Sequence, residues 1–340
     1  MDQKKIFLKG ACPTSIGGQA IMEGIMMRGP EKTAIAVRLS DGRIHMKTQP
    51  TPAPSKWGKI PLIRGVVNFV ASLVQGTKVL MYSADVLEQD YPEEYEKDKF
   101  DLWMENKLGK EKAWNVLMAI SVVVALILSV GLFMILPTVV TGLVSKVTDS
   151  VIALNLAEGA MRILIFIVYV LLISQMGEIK NVFQYHGAEH KTIHCFENGL
   201  ELTPENAQQF YTLHPRCGTS FMMFVMIIAV LVHAFMGWPN VWIRIGSRLL
   251  VLPLIAGISY ELLKWAGRSD NVIVRTLSLP GIYLQKLTTK EPEFRHLEVA
   301  IAAMKAVLPG NDTPYFEGIC DLDGNPIGEK ENESTTEGTN

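Results

Sequence analysis

Residues 113–144 read A-W-N-V-L-M-A-I-S-V-V-V-A-L-I-L-S-V-G-L-F-M-I-L-P-T-V-V-T-G-L-V and contain no charged side chain. A membrane-spanning helix needs about 20 mainly apolar residues, so this stretch predicts one transmembrane helix, which Pro137 should break or end. The composition agrees, because 49% of the residues are hydrophobic and only 19% are charged. The chain is therefore expected to be a membrane protein rather than a pair of soluble domains.

Three more segments are apolar enough to be spans, at residues 161–177, 219–238 and 247–266. Arg162, at the start of the first of them, is expected to snorkel to the membrane interface. The sequence thus predicts a mainly α, polytopic membrane protein with about four transmembrane helices. Amphipathic helices and a small β-hairpin element are expected on its cytosolic side.

Basic residues near the predicted spans set the expected orientation. One side has nine of them and the other has four: Lys107, Lys110, Lys112, Lys180, Lys191, Arg216, Lys264, Arg268 and Arg275 against Lys146, Arg162, Arg244 and Arg248. The positive-inside rule then puts both termini in the cytosol of a multi-pass protein of the cell membrane. The first ten residues lack the apolar run of a signal peptide, so no cleavage is expected. The four cysteines fall on the reducing side, where disulfides are rare.

Four segments are expected along the chain. They are an N-terminal cytosolic region (1–112), a four-helix membrane domain (113–266) with a cytosolic histidine-rich insertion (178–218), cytosolic C-terminal helices (267–309) and a disordered acidic tail (310–340). Within the first, runs at 33–39 and 43–48 flank Asp41-Gly42, a strong hairpin signal. An amphipathic helix is expected at 61–87, and another at 291–308. The second span should continue as one helix through Glu178, which could then support a ligating imidazole; the alternative is an interface residue paired with Lys180 or Arg216.

Residues 185–195, Y-H-G-A-E-H-K-T-I-H-C, hold three histidines. In a helix His186, His190 and His194 would share one face, but His186 and His194 would be about 12 Å apart, too far to bind one ion. The usable pairs are His186 with His190, or His190 with His194. The first pair encloses Glu189 in H-x-x-E-H, the inverted zincin arrangement, in which the glutamate is the general base.

Two other regions offer a further ligand. His214 and Cys217 lie three residues apart in H-P-R-C, just before the third span. Glu261 could reach the metal from the fourth span, as a distant carboxylate does in inverted zincins; the alternative is a salt bridge with Lys264 or Arg216. Imidazole with thiolate favours zinc over magnesium or calcium.

The segment 17–30 is a glycine-rich loop that carries Glu23 and Arg28. Its functional interpretation is a lid or substrate loop over the histidines, and its structural interpretation is a tight loop packed on the core. It has neither a dinucleotide nor a P-loop pattern.

The stretches G-G-Q-A-I-M-E-G-I-M-M-R-G, H-G-A-E-H-K and H-P-R-C-G-T-S-F together resemble the YqhQ-like family of bacterial membrane proteins, over roughly residues 12–308. The resemblance implies a metal-dependent enzyme. It also implies that the family's motif positions fall on a set of residues in this chain: Gly18, Gln19, Glu23, Gly24, Arg28, His186, Glu189, His190, His214, Arg216 and Cys217. Of these, Glu189, Arg216, Glu23 and Arg28 are the expected catalytic residues.

Three functions remain open from the sequence. The first is a zinc hydrolase at the cytosolic face that acts on a lipid or peptide substrate. The second is a structural metal site closed by His190, His194, His214 and Cys217. The third is a transporter or scaffold in which Glu178, His233 and Glu261 line an ion path. A net charge of −2 without a basic tract argues against nucleic acid as a partner, whereas the lipid bilayer is an expected one.

Overall fold

The computed structural model describes residues 12, 14–53, 56–90, 99–266 and 272–327. Within these residues the chain is mainly helical and carries a small antiparallel sheet, which confirms the predicted fold class in its main features. The helices are α1 (Ile63–Asp90), α2 (Lys99–Leu108), α3 (Lys110–Val130), α4 (Leu136–Val144), α5 (Val151–Ile173), α6 (Gly177–Glu197), α7 (Pro204–Gln208), α8 (Gly218–Ala234), α9 (Val241–Ala266), α10 (Val272–Thr288) and α11 (Phe294–Ala306). The strands are β1 (Gly17–Ile21), β2 (Gly24–Arg28), β3 (Lys32–Arg38), β4 (Ile44–Pro50) and β5 (Glu317–Cys320).

In the described part of the chain, three helical segments are long and apolar enough to cross a membrane, namely Val116–Val144, Val151–Ile173 and Val241–Trp265. The first joins α3 to α4 through a π-helical turn at Gly131–Ile135. Pro137 follows that turn in the first turn of α4, so the hydrogen bonding changes before the proline and the helix continues. Helix α8 is also apolar, but it has only 17 residues.

Helices α5 and α9 begin at Val151 and Val241, earlier than predicted. The reason is that Arg162 and Arg248, which were expected to flank the spans, are paired inside the protein. Glu158 is 1% exposed and accepts hydrogen bonds from Thr138 Oγ1 at 2.8 Å and Arg162 Nη2 at 3.2 Å. Its carboxylate also contacts Arg248. Arg162 donates a further bond from Nε to the Phe133 carbonyl at 2.9 Å, so the expectation that it snorkels is wrong.

The strands form a five-stranded antiparallel sheet in chain order. The predicted hairpin is confirmed as β3 and β4, with Gly42 at a φ of 88° in the turn. The expected glycine-rich loop at 17–30 is instead a second hairpin, β1 and β2. A Cβ on Gly24 would lie 2.2 Å from the Ala36 carbonyl oxygen, so this glycine serves close strand packing.

The C-terminal segment adds β5 to the sheet, where Cys320 pairs with Ile44. The expectation of a disordered tail from residue 310 is therefore wrong for residues 310–327, and residues 328–340 lie outside the described residues. A four-residue strand that completes a sheet edge needs little apolar sequence of its own, since the backbone of β4 supplies its hydrogen bonds.

The sheet, α6 and α11 share one hydrophobic core, which includes Met27, Met46, Tyr185, Leu297 and Met304. The predicted C-terminal amphipathic helix is confirmed as α11, but most of its residues are buried because α6 and the sheet both pack on it. The N-terminal region, the histidine-rich insertion and the C-terminal helices are thus parts of one body rather than separate units.

Helices α5 and α6 are distinct, since α5 ends at Ile173 and α6 begins at Gly177. The expected continuous helix is therefore wrong, because Met176 adopts an extended conformation at the N-cap of α6. Glu178 is exposed in the first turn of α6.

Helix α1 confirms the amphipathic helix expected at 61–87, but its predicted apolar stripe faces outward. Ile63, Val70, Leu73 and Val74 are each more than two-fifths exposed. The C-terminal half of α1 packs on the sheet, for example through Val79.

Candidate metal centre

Helix α6 presents its three histidines on one face, as predicted from their spacing. The rings of His186 and His190 meet edge to face with centroids 4.5 Å apart. Between them, Gly187 lets the backbone of residue 290 approach, because a Cβ there would lie 2.1 Å from the Lys290 carbonyl oxygen. The glycine of the H-G-A-E-H motif therefore fixes how α6 packs against the chain that enters α11.

The segment between α7 and α8 brings His214 and Cys217 to this face. Gln285 of α10 holds the His214 backbone on both sides, accepting from its N–H at 2.8 Å and donating to its carbonyl at 2.9 Å. Cys217 is the N-cap of α8, where its thiol accepts a hydrogen bond from the Thr219 N–H at 3.4 Å. Both side chains are thereby set in place by backbone contacts.

Donor atoms of His186, His190 and Cys217 lie within 4.8 Å of one another. We call these three residues the cavity triad. His186 Nε2 is 3.2 Å from Cys217 Sγ. His190 and Cys217 are buried and His186 is half-buried. Two imidazoles and a thiol at this spacing fit a zinc ion, which binds three protein ligands at its catalytic sites.

Backbone carbonyls orient both imidazoles of the cavity triad. His186 Nδ1 donates to the Thr288 carbonyl at 2.8 Å, and His190 Nδ1 donates to the Thr212 carbonyl at 2.5 Å. Because a carbonyl can only accept, each Nδ1 carries a proton, and in a neutral imidazole with this tautomer Nε2 is the nitrogen that can bind a metal ion. Such outer hydrogen bonds orient metal-binding histidines in known sites.

His190 Nε2 is buried and has no hydrogen-bond partner among the described residues. Leaving a buried polar atom unsatisfied costs about 1–3 kcal/mol, so this lone pair points to a ligand. Burial lowers the pKa of His190 to about 4; the nearby imidazoles of His186 and His214 act in the same direction, and the Cys217 thiol acts against it. The imidazole is therefore neutral at physiological pH, the state that binds a metal ion.

Glu189 stands beside the cavity triad. Its Oε1 accepts a hydrogen bond from the Gly18 N–H at 2.8 Å, and a Cβ on Gly18 would lie 3.0 Å from Glu189 Cδ. Burial raises the pKa of this carboxyl above its usual value, although His186 and the Gly18 N–H act in the opposite direction. A raised pKa brings a carboxyl closer to the range in which it can both take and give a proton.

A cavity of about 700 Å³ opens onto Glu189, His186 and Cys217. Its walls come from β1, β2, α1, α6 and the first turn of α8. Helix α6 and the start of α8 thus place a carboxyl, an imidazole and a thiol on the wall of the same cavity. This is the arrangement expected of a reaction site rather than of a closed structural site.

His194, Glu197 and His214 form a second group whose donor atoms also lie within 4.8 Å of one another. We call it the buried triad, since all three are buried and none lines the cavity. Glu197 Oε1 accepts from the Thr14 N–H at 2.7 Å and pairs with the Arg216 guanidinium. Although burial opposes ionisation, bonds from His214, Thr14 and Arg216 lower the pKa of Glu197 to about 2.

The Glu197 carboxylate is thus neutralised by an arginine of the same chain. His194 Nε2 donates to the Leu213 carbonyl at 2.9 Å, and burial lowers the pKa of His194 below its usual value. Through this ion pair and these hydrogen bonds, the buried triad connects α6 to the segment before α8.

Comparison with known proteins places the chain in a family. A family model described as "Protein of unknown function (DUF1385)" matches residues 60–310. A curated relative, the uncharacterized protein YqhQ of Bacillus subtilis (strain 168), is 33% identical over 308 residues, which cover 88% of this chain and 94% of the relative. This chain belongs to the YqhQ-like DUF1385 family. The family resemblance seen in the sequence is confirmed, and no solved structure matches.

The four members of the predicted structural metal site divide into two pairs in this DUF1385 protein. His190 and Cys217 belong to the cavity triad, whereas His194 and His214 belong to the buried triad. The rings of His190 and His214 are 5.5 Å apart at their centroids, so the two groups adjoin. A row of histidines on one helix face is therefore split between two environments.

Four other predicted site residues lie outside both triads. Arg28 lines the cavity and donates to the Pro52 carbonyl at 3.3 Å, whereas Arg216 pairs with Glu197. Glu23, at the β1–β2 turn with a φ of 47°, accepts a hydrogen bond from Asn181 of α6. Glu261 pairs with Arg64 of α1 through Nε at 2.6 Å, so its carboxylate is engaged there and not with the imidazoles.

Sequence reasoning missed Glu197 and Gln285. Glu197 follows His194 by three residues and His190 by seven, so the helical period that selected the histidines also selects it. Gln285 gave no comparable signal, because its contact with His214 spans 71 residues of chain.

Proposed function

We propose that this DUF1385 protein is a membrane-embedded, zinc-dependent hydrolase whose reaction site is the cavity triad with Glu189. The observation that carries the proposal is the unpartnered, buried lone pair of His190 Nε2, set among donors that adjoin an open cavity. A metal ion would satisfy that atom, and the cavity would give substrate and water access.

The proposed topology has four spans, with α8 crossing beside the three longer helices. In support, α8 is apolar and packs against α5, α9 and α10, and a 17-residue helix is at the lower limit for a span. The excess of lysine and arginine beside the spans on the side where α8 begins supports a cytosolic site. Both termini would then also be cytosolic.

The residues of the site have distinct proposed roles. His186, His190 and Cys217 would hold the zinc, which when bound would supply a Lewis acid and a water molecule of lowered pKa. Glu189 would take a proton from that water at Oε2, because the Gly18 N–H engages Oε1, and would return it to the leaving group. Hydrolysis thus adds one water across the cleaved bond and leaves Glu189 unchanged.

The direct test is the metal content of protein purified in mild detergent without chelators. We expect about one zinc per chain, and thermal unfolding at a lower temperature after chelation, because the metal binds the folded state. An absence of bound transition metal together with an unchanged unfolding temperature after chelation would refute the proposal.

Substitution of Glu189 by Gln separates catalysis from metal binding. Glutamine keeps the size and can still accept from Gly18, but it cannot take a proton. We expect Glu189→Gln to retain zinc. For any ester, phosphoester or peptide that the wild type hydrolyses, its turnover should be lower by about 10²–10⁴-fold. Equal turnover by the variant and the wild type would remove Glu189 from the mechanism.

A second candidate is a transporter or assembly scaffold that uses its metal only for structure. It is favoured by the ion-paired cluster of Glu158, Arg162 and Arg248 inside the apolar helices, since charged groups within spans often mark ion paths. In that case Glu189→Gln would be silent, whereas Glu158→Gln would abolish function.

A further inference from the structure

We propose that the ligand of the cavity is an anionic amphiphile of the bilayer, such as a phospholipid or a polyprenyl phosphate, which enters sideways between α1 and α8. The inference rests on the proposed function for its chemistry, since it names the substrate class of that same site. The binding of the lipid is inferred from the geometry of the cavity alone.

The first observation is that the cavity lies between an amphipathic helix and an apolar one. Ser72 and Gln75 of α1 form one wall, and Thr219 and Met222 of α8 form the other. Met222 is 46% exposed although it lines the cavity. The space therefore reaches the surface of the apolar helices.

The second observation concerns the surface around that opening. On α1, Val70, Leu73 and Val74 are each at least half exposed on the face turned away from Ser72 and Gln75, and Phe69, between the two faces, is 41% exposed. The rings of Phe69 and Phe221 lie 5.6 Å apart and link α1 to α8 at the same level. An apolar face of this kind that continues onto an apolar helix is typical of a helix lying in the membrane interface. The occupant we assign to it is the hydrocarbon of the bilayer.

The third observation is the polar end of the cavity. Among the described residues that line it, Arg28 alone carries a permanent positive charge. Gln19, Ser15 and the backbone of β1 also line the cavity and add hydrogen-bonding groups, and Gly17 of β1 pairs with Arg28 across the hairpin. Arginine is well suited to phosphate and carboxylate, which its guanidinium binds through two parallel hydrogen bonds.

The two ends differ in the way that the two ends of a lipid differ. An acyl or prenyl chain would lie along Met222, with its remainder in the bilayer. The anionic head would reach Arg28 and pass Glu189, which lies on the same cavity wall as His186 and Cys217. A soluble substrate would need no apolar opening of this kind.

Native mass spectrometry of the detergent-purified protein tests the inference without an activity assay. The probes are dioleoyl phosphatidylglycerol, dioleoyl phosphatidylcholine and water-soluble glycerol phosphate. We expect the wild type to retain one phosphatidylglycerol, with at least a fivefold preference over phosphatidylcholine, and millimolar glycerol phosphate to leave it in place. Displacement by glycerol phosphate would instead make this a site for a soluble anion and would overturn the inference.

Matched variants locate the bound lipid. Met222→Trp and Ser72→Trp should each reduce the retained fraction at least fivefold by filling the opening from α8 and from α1. Leu231→Trp is the control, since Leu231 is 52% exposed on the same helix α8 but does not line the cavity. Equal retention by all four proteins would show that the lipid binds elsewhere and would overturn the inference.

Arg28→Gln should remove the preference for phosphatidylglycerol, whereas Arg43→Gln should keep it, because Arg43 lies in the β3–β4 turn and pairs with Asp41. Retention of the preference in Arg28→Gln would refute the role of Arg28. Zinc content is measured in every sample. Bound zinc without specific lipid would overturn this inference and leave the proposed hydrolase, whereas lipid without zinc would do the reverse.

Discussion

The cavity triad and the buried triad each combine two side chains of α6 with one residue of the segment before α8, yet they differ in how their atoms are satisfied. In the buried triad, Glu197 is ion-paired with Arg216. In the cavity triad, His190 keeps an unpartnered Nε2. Residues of ligand type that lie within reach of each other therefore do not make a metal site by themselves. What distinguishes the cavity triad is the lone pair that the protein leaves unused.

The largest expected effect is a difference in zinc content between a variant of the cavity triad and a variant of the buried triad. His190→Ala should lose the bound zinc, because it removes one of three donors. His194→Ala should retain it, because His194 belongs to the buried triad. Elemental analysis of both purified variants provides the measurement. Loss of zinc from His194→Ala as well would mean that the two triads act as one structural site.

Next in size is the effect of removing the charge of the buried triad. Glu197→Gln should destabilise the protein by about 2–3 kcal/mol, because Arg216 loses the partner of a largely buried ion pair. The same variant should keep its zinc. Glu201→Gln, which alters an exposed glutamate four residues away, is the control and should change the stability by less than about 0.5 kcal/mol.

Denaturant or thermal unfolding in one detergent provides the measurement for this pair. Retained stability together with loss of zinc in Glu197→Gln would mean that Glu197 is a ligand, and would exchange the roles assigned to the two triads.

The smallest effect acts on the cavity side alone. In Gly18→Ala the new methyl group would lie 3.0 Å from Glu189 Cδ and 2.7 Å from the Met26 carbonyl oxygen. We expect it to displace the carboxyl and to lower turnover about tenfold, since small misplacements of a catalytic group are costly. Zinc content should remain. Gly17→Ala is the matched control, because its methyl group would meet no atom within 4 Å.

Turnover and zinc content of the two alanine variants are compared in the same preparation. Equal activity of Gly18→Ala and Gly17→Ala would argue that the position of Glu189 does not matter to the reaction.

Most of the correct predictions came from sequence patterns that involve residues close together in the chain. The charge-free stretch at 113–144, the hairpin at Asp41-Gly42 and the histidine face of α6 each depend on neighbours within a few residues. The starts of α5 and α9 were misplaced, because Arg162 and Arg248 were counted as charges flanking the spans, whereas both pair with Glu158 inside the protein. Strand β5 was missed because it pairs with β4, which lies some 270 residues earlier in the chain. The hairpin β1–β2 was missed although its pairing is local, because its glycines were interpreted as a loop.

The amino-acid sequence by itself determined that this protein has segments long and apolar enough to cross a membrane and that one helix carries His186, His190 and His194 on a single face, because hydrophobicity and helical period are local properties. Only the tertiary structure decided which histidine is left with a free lone pair. That choice depends on the carbonyls of Thr212, Leu213 and Thr288 and on the guanidinium of Arg216. Hydrogen-bond partners of a buried atom come from wherever the fold brings the chain, so no local pattern can specify them.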